Sequence, residues 1–228
     1  MRTDGLMGGL YVITEWAMRL AVTNLLWLLF NVPIIFVGLN LLITDTTGDI
    51  IFFSAIIMIL LPFFFFPATT AMFALVRRWI LNEVDVPLIR SFWKYYKENY
   101  ARSMLGGFII VVIWAILLID YFYFINVVND LLKYLFYALF FFVAMFTVHF
   151  FSNTVHFQTK LLASLKNALY MTLKNPIISL FITLLNIIIV VISLKIAPFL
   201  ILFFTASLIT CISFIAFYKI SLRTSTSE

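Results

Sequence analysis

Six long apolar runs, at about 20–43, 50–76, 104–124, 134–157, 177–194 and 199–216, leave this chain few ways to fold. A helix needs roughly 20 apolar residues to cross the ~30 Å hydrocarbon core of a bilayer. Lipid offers no partner to an open backbone, so each run must satisfy its own N–H and C=O groups as a helix. Composition agrees: 64 % of residues are hydrophobic and 11 % charged, with a mean hydropathy of +1.13, whereas soluble domains carry about 25 % charged residues. Strands of a membrane barrel would alternate in character over ~10 residues, and these runs do not. The expectation is an all-α membrane protein: six transmembrane helices in one polytopic domain over residues 1–228, plus short amphipathic helices at the cytoplasmic interface.

The basic residues orient that bundle. Thirteen of the 15 Lys and Arg residues fall on one side: the N-terminal segment, the loops between the second and third and the fourth and fifth runs, and the C-terminus. The other side holds Lys133 and Lys195. The excess marks the cytoplasmic side, which predicts both termini inside. Glu15 and Arg19 interrupt any apolar stretch ahead of the first run, so that run is expected to stay as a helix rather than be removed as a leader. The single cysteine, Cys211, lies in the last run and leaves no internal disulfide to expect. A pI near 9.4 follows from the same asymmetry and does not argue for nucleic acid.

The densest charge is at 77–102, which carries Arg77, Arg78, Arg90, Lys94, Lys97 and Arg102. Asp85 suits a helix N-cap and Pro87 a first turn. At 100° per residue, Ile89, Phe92, Trp93, Tyr96 and Tyr100 share one face, opposed by Arg90, Lys94, Lys97, Glu98 and Arg102. An aromatic face set against a basic one is the pattern of a helix lying in the headgroup layer. Such a helix either packs beneath the bundle and serves the charge asymmetry, or offers Arg77, Arg78, Arg90, Trp93, Lys94, Lys97 and Arg102 to a partner or to lipid. A partly polar segment leads into a pair of runs three times, at 11–20, 89–103 and 161–174, a rhythm that a threefold repeat or any short-looped polytopic protein would give.

Residue order in this region carries a likeness. Pro67-Ala68-Thr69-Thr70-Ala71-Met72-Phe73, Arg77-Arg78-Trp79, Val86-Pro87, Phe92-Trp93 and Lys97-Glu98-Asn99-Tyr100 resemble the YesL-like family of bacterial membrane proteins. Asn24 to Phe30 with Pro33, and Ser164 to Leu169 with Pro176, extend the likeness over roughly residues 10–180. One departure is Phe66, where the family pattern leads one to expect glycine. The resemblance implies a bacterial cytoplasmic-membrane protein associated with carbohydrate uptake, without catalytic residues to carry over.

Polar residues inside the runs are few. His149, Ser152, Asn153 and His156 form one stripe at i, i+3, i+4 and i+7, and Asn24 and Asn31 lie seven apart on the first run with Trp27 between them. The two histidines are about 10.5 Å apart along a helix axis, whereas zinc holds its nitrogens at about 2.1 Å, so no metal site is expected. Interhelical hydrogen bonding at about 0.6 kcal/mol per contact accounts for such residues; a polar path through Asn24, Asn31, His149, Asn153 and His156 is the other reading. Pro62 and Pro67 should kink the second run. No ionisable group is placed at mid-membrane, where coupled transporters hold theirs, and motifs of hydrolases, metalloproteases and nucleotide-binding loops are missing. The expected function is that of a non-enzymatic accessory protein, without cofactor, whose partners are membrane lipid and a membrane protein of a sugar-uptake system. The alternative is a transport component passing a neutral solute such as a sugar.

Overall fold

The computed structural model describes residues 6–83, 87–127, 131–157 and 159–225. Among these the chain is helical throughout, in ten helices: α1 (Leu6–Phe30), α2 (Val32–Ile43), α3 (Thr47–Leu60), α4 (Phe65–Ile80), α5 (Leu88–Val127), α6 (Leu132–His156), α7 (Leu161–Lys174), α8 (Pro176–Lys195), α9 (Phe199–Phe203) and α10 (Thr205–Ser225). Five are long and apolar enough to cross a membrane, and the bent pair α3–α4 passes the same test when the two helices are taken as one span, which gives five to six. The protein is therefore a multi-pass, all-α membrane protein. Large apolar side chains such as Ile119, Phe122 and Ile177 stand exposed on its flanks, as contact with lipid rather than water requires.

Where helices break, a local cause is visible. Pro33 sits in the first turn of α2, and Asn31 separates α1 from it. Pro62 lies in the four-residue interruption between α3 and α4, which bend by 47° at that point. The proline has no N–H to give to the ladder. Thr46 caps α3: its hydroxyl oxygen accepts from the Asp49 N–H at 3.1 Å and its own O–H donates to the Asp49 carboxylate at 2.7 Å. Asp49 and Thr46 thus each bond to the other at the start of α3.

Several span limits differ from expectation. The first run, read as one helix over 20–43, divides at Asn31, and the segment at 11–20 belongs to α1. The last, read as 199–216, divides at Phe204 and continues in α10 to Ser225. The basic segment at 89–103 is not a separate interfacial helix. It is the opening of α5, a single helix of 40 residues, or about 60 Å along its axis. No glycine or proline lies between Leu88 and Leu105 to stop it, and lipid favours unbroken backbone pairing over a turn. Only α7, at Leu161–Lys174, stands as a separate short amphipathic helix.

α4 is the centre of the molecule. Twelve of its 16 residues are buried, and it packs on α1, α5, α6 and α10. Ala68, Ala71 and Ala74 keep its surface thin enough for that many neighbours. Against α5 the fit is tight: the Phe66 ring lies on Gly107, and the Phe150 ring of α6 lies on Gly106. Thr70 accepts a hydrogen bond from Ser103 at 2.9 Å across the same contact.

Candidate functional site

The basic segment divides into two surfaces. On the opening turns of α5, Phe92 is fully buried and Tyr96 half-buried, packing on Phe30 of α1 with ring centroids 5.2 and 4.5 Å apart. Trp93, expected on the same face, is about half exposed, and Ile89 is more exposed still. Arg90, Trp93, Lys94 and Lys97 together form an outer face about two helical turns long. Lys97 lies 4.6 Å over the Trp93 ring, and Lys94 pairs with Glu98 at 3.7 Å. The aromatic–basic division is therefore real, with Trp93 astride it: its ring lies 5.5 Å from Phe30 and stacks on Tyr96 at 6.0 Å while Lys97 covers it from outside. Asp85, expected to cap this helix, lies outside the described residues; the Pro87 carbonyl accepts the first bond, from the Ser91 N–H at 2.9 Å.

Arg77, Arg78 and Arg102 face elsewhere, into a polar cleft of about 740 Å³ shared with Glu83, Tyr95, Glu98, Asn99 and Thr154. The end of α4 builds one wall. Asn82 adopts a left-handed conformation (φ 65°), and the N–H groups of Glu83 and Asn82 donate to the carbonyls of Arg78 and Trp79. That pair of bonds is a Schellman closure, with asparagine in the place glycine usually takes. It turns Glu83 back onto Arg78, with which it forms an ion pair, while Arg78 also donates to the Tyr95 hydroxyl at 2.7 Å. Arg102 is held differently, by the Asn99 side-chain oxygen at 2.7 Å and the Thr159 and Thr154 carbonyls. Glu83, Tyr95 and Thr154 were not singled out from sequence, and Asn99 only within the family likeness. An asparagine just past a helix ending in Arg77-Arg78 is the signal that could have marked this wall.

The intramembrane polar residues do not converge. Asn24 Nδ2 donates to the Ile201 and Leu202 carbonyls, and its Oδ1 accepts from the Ala206 and Ser207 N–H groups, all within 2.7–3.2 Å. It thus clasps the break between α9 and α10. Asn31 donates to the Trp27 carbonyl in its own helix. His149 shares a 2.7 Å hydrogen bond with Ser179 of α8, and His156 sits among the rings of Phe157, Phe214, Phe217 and Tyr218. Asn153 is fully buried with neither amide atom bonded to protein.

A second cavity of about 630 Å³ runs between α4, α5, α6 and α10, and none of those five residues lines it. Its walls are Trp27, Phe65, Met72, Trp114, Phe151 and similar side chains. The hydroxyls that reach it are occupied within the protein: Thr69 accepts from Trp27 Nε1, Thr147 donates to the Val143 carbonyl, and Thr210 to the Ala206 carbonyl. A sugar entering would lose its water and find few partners, at a cost of several kcal/mol for its hydroxyls.

Fold and site thus define a polytopic helical membrane protein with a basic surface and a basic cleft at the junction of α4 and α5. The family described as "Protein of unknown function, DUF624" matches residues 20–121. Three uncharacterised proteins of Bacillus subtilis (strain 168) are similar. YteU is 35 % identical over 120 residues, 53 % of this chain and 43 % of its own length. YesL is 26 % identical over 172 residues, 75 % of this chain and 70 % of its own length, and YesV is 28 % identical over 115 residues. The chain thus matches under half the length of YteU. No solved structure matches. The resemblance to YesL-like proteins read from the residue order is borne out.

Proposed function

We propose that this chain is a non-enzymatic accessory protein of the bacterial cytoplasmic membrane, both termini inside, that binds a membrane-protein partner of a carbohydrate-uptake system. The contact is the outer face of α5, Arg90, Trp93, Lys94 and Lys97, extended by the exposed side of α7 with Lys166 and Tyr170. The observation that supports this most is the division of α5. Phe92 and Tyr96 anchor the helix to α1 and leave the basic row with no internal task of comparable weight. An exposed cation–π pair contributes about 0.5–1 kcal/mol and an i, i+4 ion pair about 0.3–0.5 kcal/mol, too little to explain such a surface. The carbohydrate link is supported by the family resemblance. Passage of a neutral solute is the weaker reading, because the cavity within the bundle is apolar and excludes the polar stripe.

The test is the triple substitution Arg90→Glu, Lys94→Glu and Lys97→Glu. Exposed changes of this kind shift stability by only about 0.5 kcal/mol each, so membrane insertion should be unchanged. Partners recovered from native membranes with the parent protein and identified by mass spectrometry should be lost with the variant. Equal recovery overturns the proposal.

A further inference from the structure

We propose that the cleft between α4, α5 and α6 binds a phosphate group through Arg77, Arg102 and Thr154. This goes beyond the partner surface and does not depend on it, since Arg90, Lys94 and Lys97 do not line the cleft. The cleft holds three guanidinium groups and two carboxylates. Glu83 is taken up by Arg78, and Glu98 pairs with Lys94 on the rim. That leaves Arg77 and Arg102, neither within ion-pair distance of a carboxylate among the described residues. Both are half-buried, and a partly withdrawn charge without a counter-charge carries a cost that a bound anion would relieve. Two unneutralised guanidiniums match the charge of a phosphate monoester.

The groups are also arranged to receive one. Arg102 is fixed by neutral acceptors only, Asn99 Oδ1 and two backbone carbonyls, so it is held in place with its charge intact. Nε of Arg77 is buried with no partner, and the hydroxyl of Thr154, a fully buried residue of the cleft wall, also has none. An orphaned buried donor forfeits its bond to water, and an oxyanion restores it. Guanidinium is the group best matched to phosphate oxygens, because its donors are planar and paired. At about 740 Å³ the cleft has room for a phosphate ester. Two sources carry this chemistry: the headgroup of an anionic lipid and a phosphate ester in solution.

The test uses the full chain in phosphatidylcholine nanodiscs. One arm adds phosphatidic acid to the bilayer, the other titrates glycerol 3-phosphate in solution, and binding is read by calorimetry and by the shift in Tm. Saturable binding is expected in at least one arm, and the arm that responds identifies the source. Losing a charge-assisted bond should weaken it about tenfold or more in Arg77→Gln and Arg102→Gln. Thr154→Val keeps the shape of the side chain and should weaken binding without lowering the Tm of the unliganded protein, which guards against misfolding as the cause. Arg90→Gln and Lys97→Gln together, which leave the Lys94–Glu98 pair in place, should bind as the parent does. Absence of binding in both arms, parental affinity in the Arg77 and Thr154 variants, or an equal loss in this exposed double variant overturns the proposal. Partner recovery does not enter these readouts, so this site and the partner surface fail separately.

Discussion

Asn24 shows how much of this fold can hang on one side chain. Its amide serves four backbone groups at the α9–α10 break, where no water stands ready to replace them. Hydrogen bonds between membrane helices contribute about 0.6 kcal/mol each on average, but an unmet buried group costs about 1–3 kcal/mol. Asn24→Ala should therefore lower unfolding stability by about 2–3 kcal/mol in a detergent denaturation series. Asn40→Ala, which removes one bond to the Phe36 carbonyl at an exposed position, should change it by less than about 0.5 kcal/mol. Equal losses would contradict the clasp. The sequence made Asn24 conspicuous as a polar residue in an apolar run, and structural use was one of its two readings. What it clasps was not legible, because the break at Phe204 lies some 180 positions away and no proline or glycine marks it. Thr154 was hidden for a similar reason: a threonine in an apolar helix is ordinary until a neighbouring helix leaves its hydroxyl unpaired.

At the scale of elements, the α4–α5 contact decides how the bundle closes. A Cβ at Gly107 would stand 2.6–3.0 Å from three atoms of Phe66, closer than packed atoms tolerate. Alanine improves helix propensity over glycine by about 1 kcal/mol, whereas overpacking costs about 1–3 kcal/mol. Gly107→Ala should accordingly destabilise the protein by about 1–2 kcal/mol, since neither α4 nor α5 can shift without disturbing Ser103 and Thr70. Combined with Phe66→Leu, its cost should fall well below the sum of the two single changes; simple additivity would show that the two residues do not compete for one space. Gly107 is what makes room for the Phe66 ring. The helix types and most of their limits were legible because lipid makes hydropathy and helicity nearly the same signal. The continuity of α5 was missed because the change from basic to apolar at Ser103 looked like a boundary. A charge boundary is not a turn, and the lack of any breaker between Leu88 and Leu105 was the better guide. Pro62, by contrast, announced the bend it causes.

For the whole molecule, the decisive quantity is the side of the membrane on which the charge lies. Thirteen basic residues against two predict that the start of α5, the cleft behind it and α7 all face the cytoplasm. Both the partner surface and the phosphate site depend on that placement, the first because its partner approaches from inside, the second because it shares a helix with that surface. Cys211 is the only native thiol and is buried, so it can be replaced by alanine and a single reporter cysteine placed at exposed positions. The most direct measurement is labelling of Lys94→Cys and Lys195→Cys in intact cells with a membrane-impermeant maleimide. Lys195→Cys should react in intact cells, and Lys94→Cys only after the membrane is permeabilised. Labelling of Lys94→Cys from outside, before permeabilisation, would contradict the account.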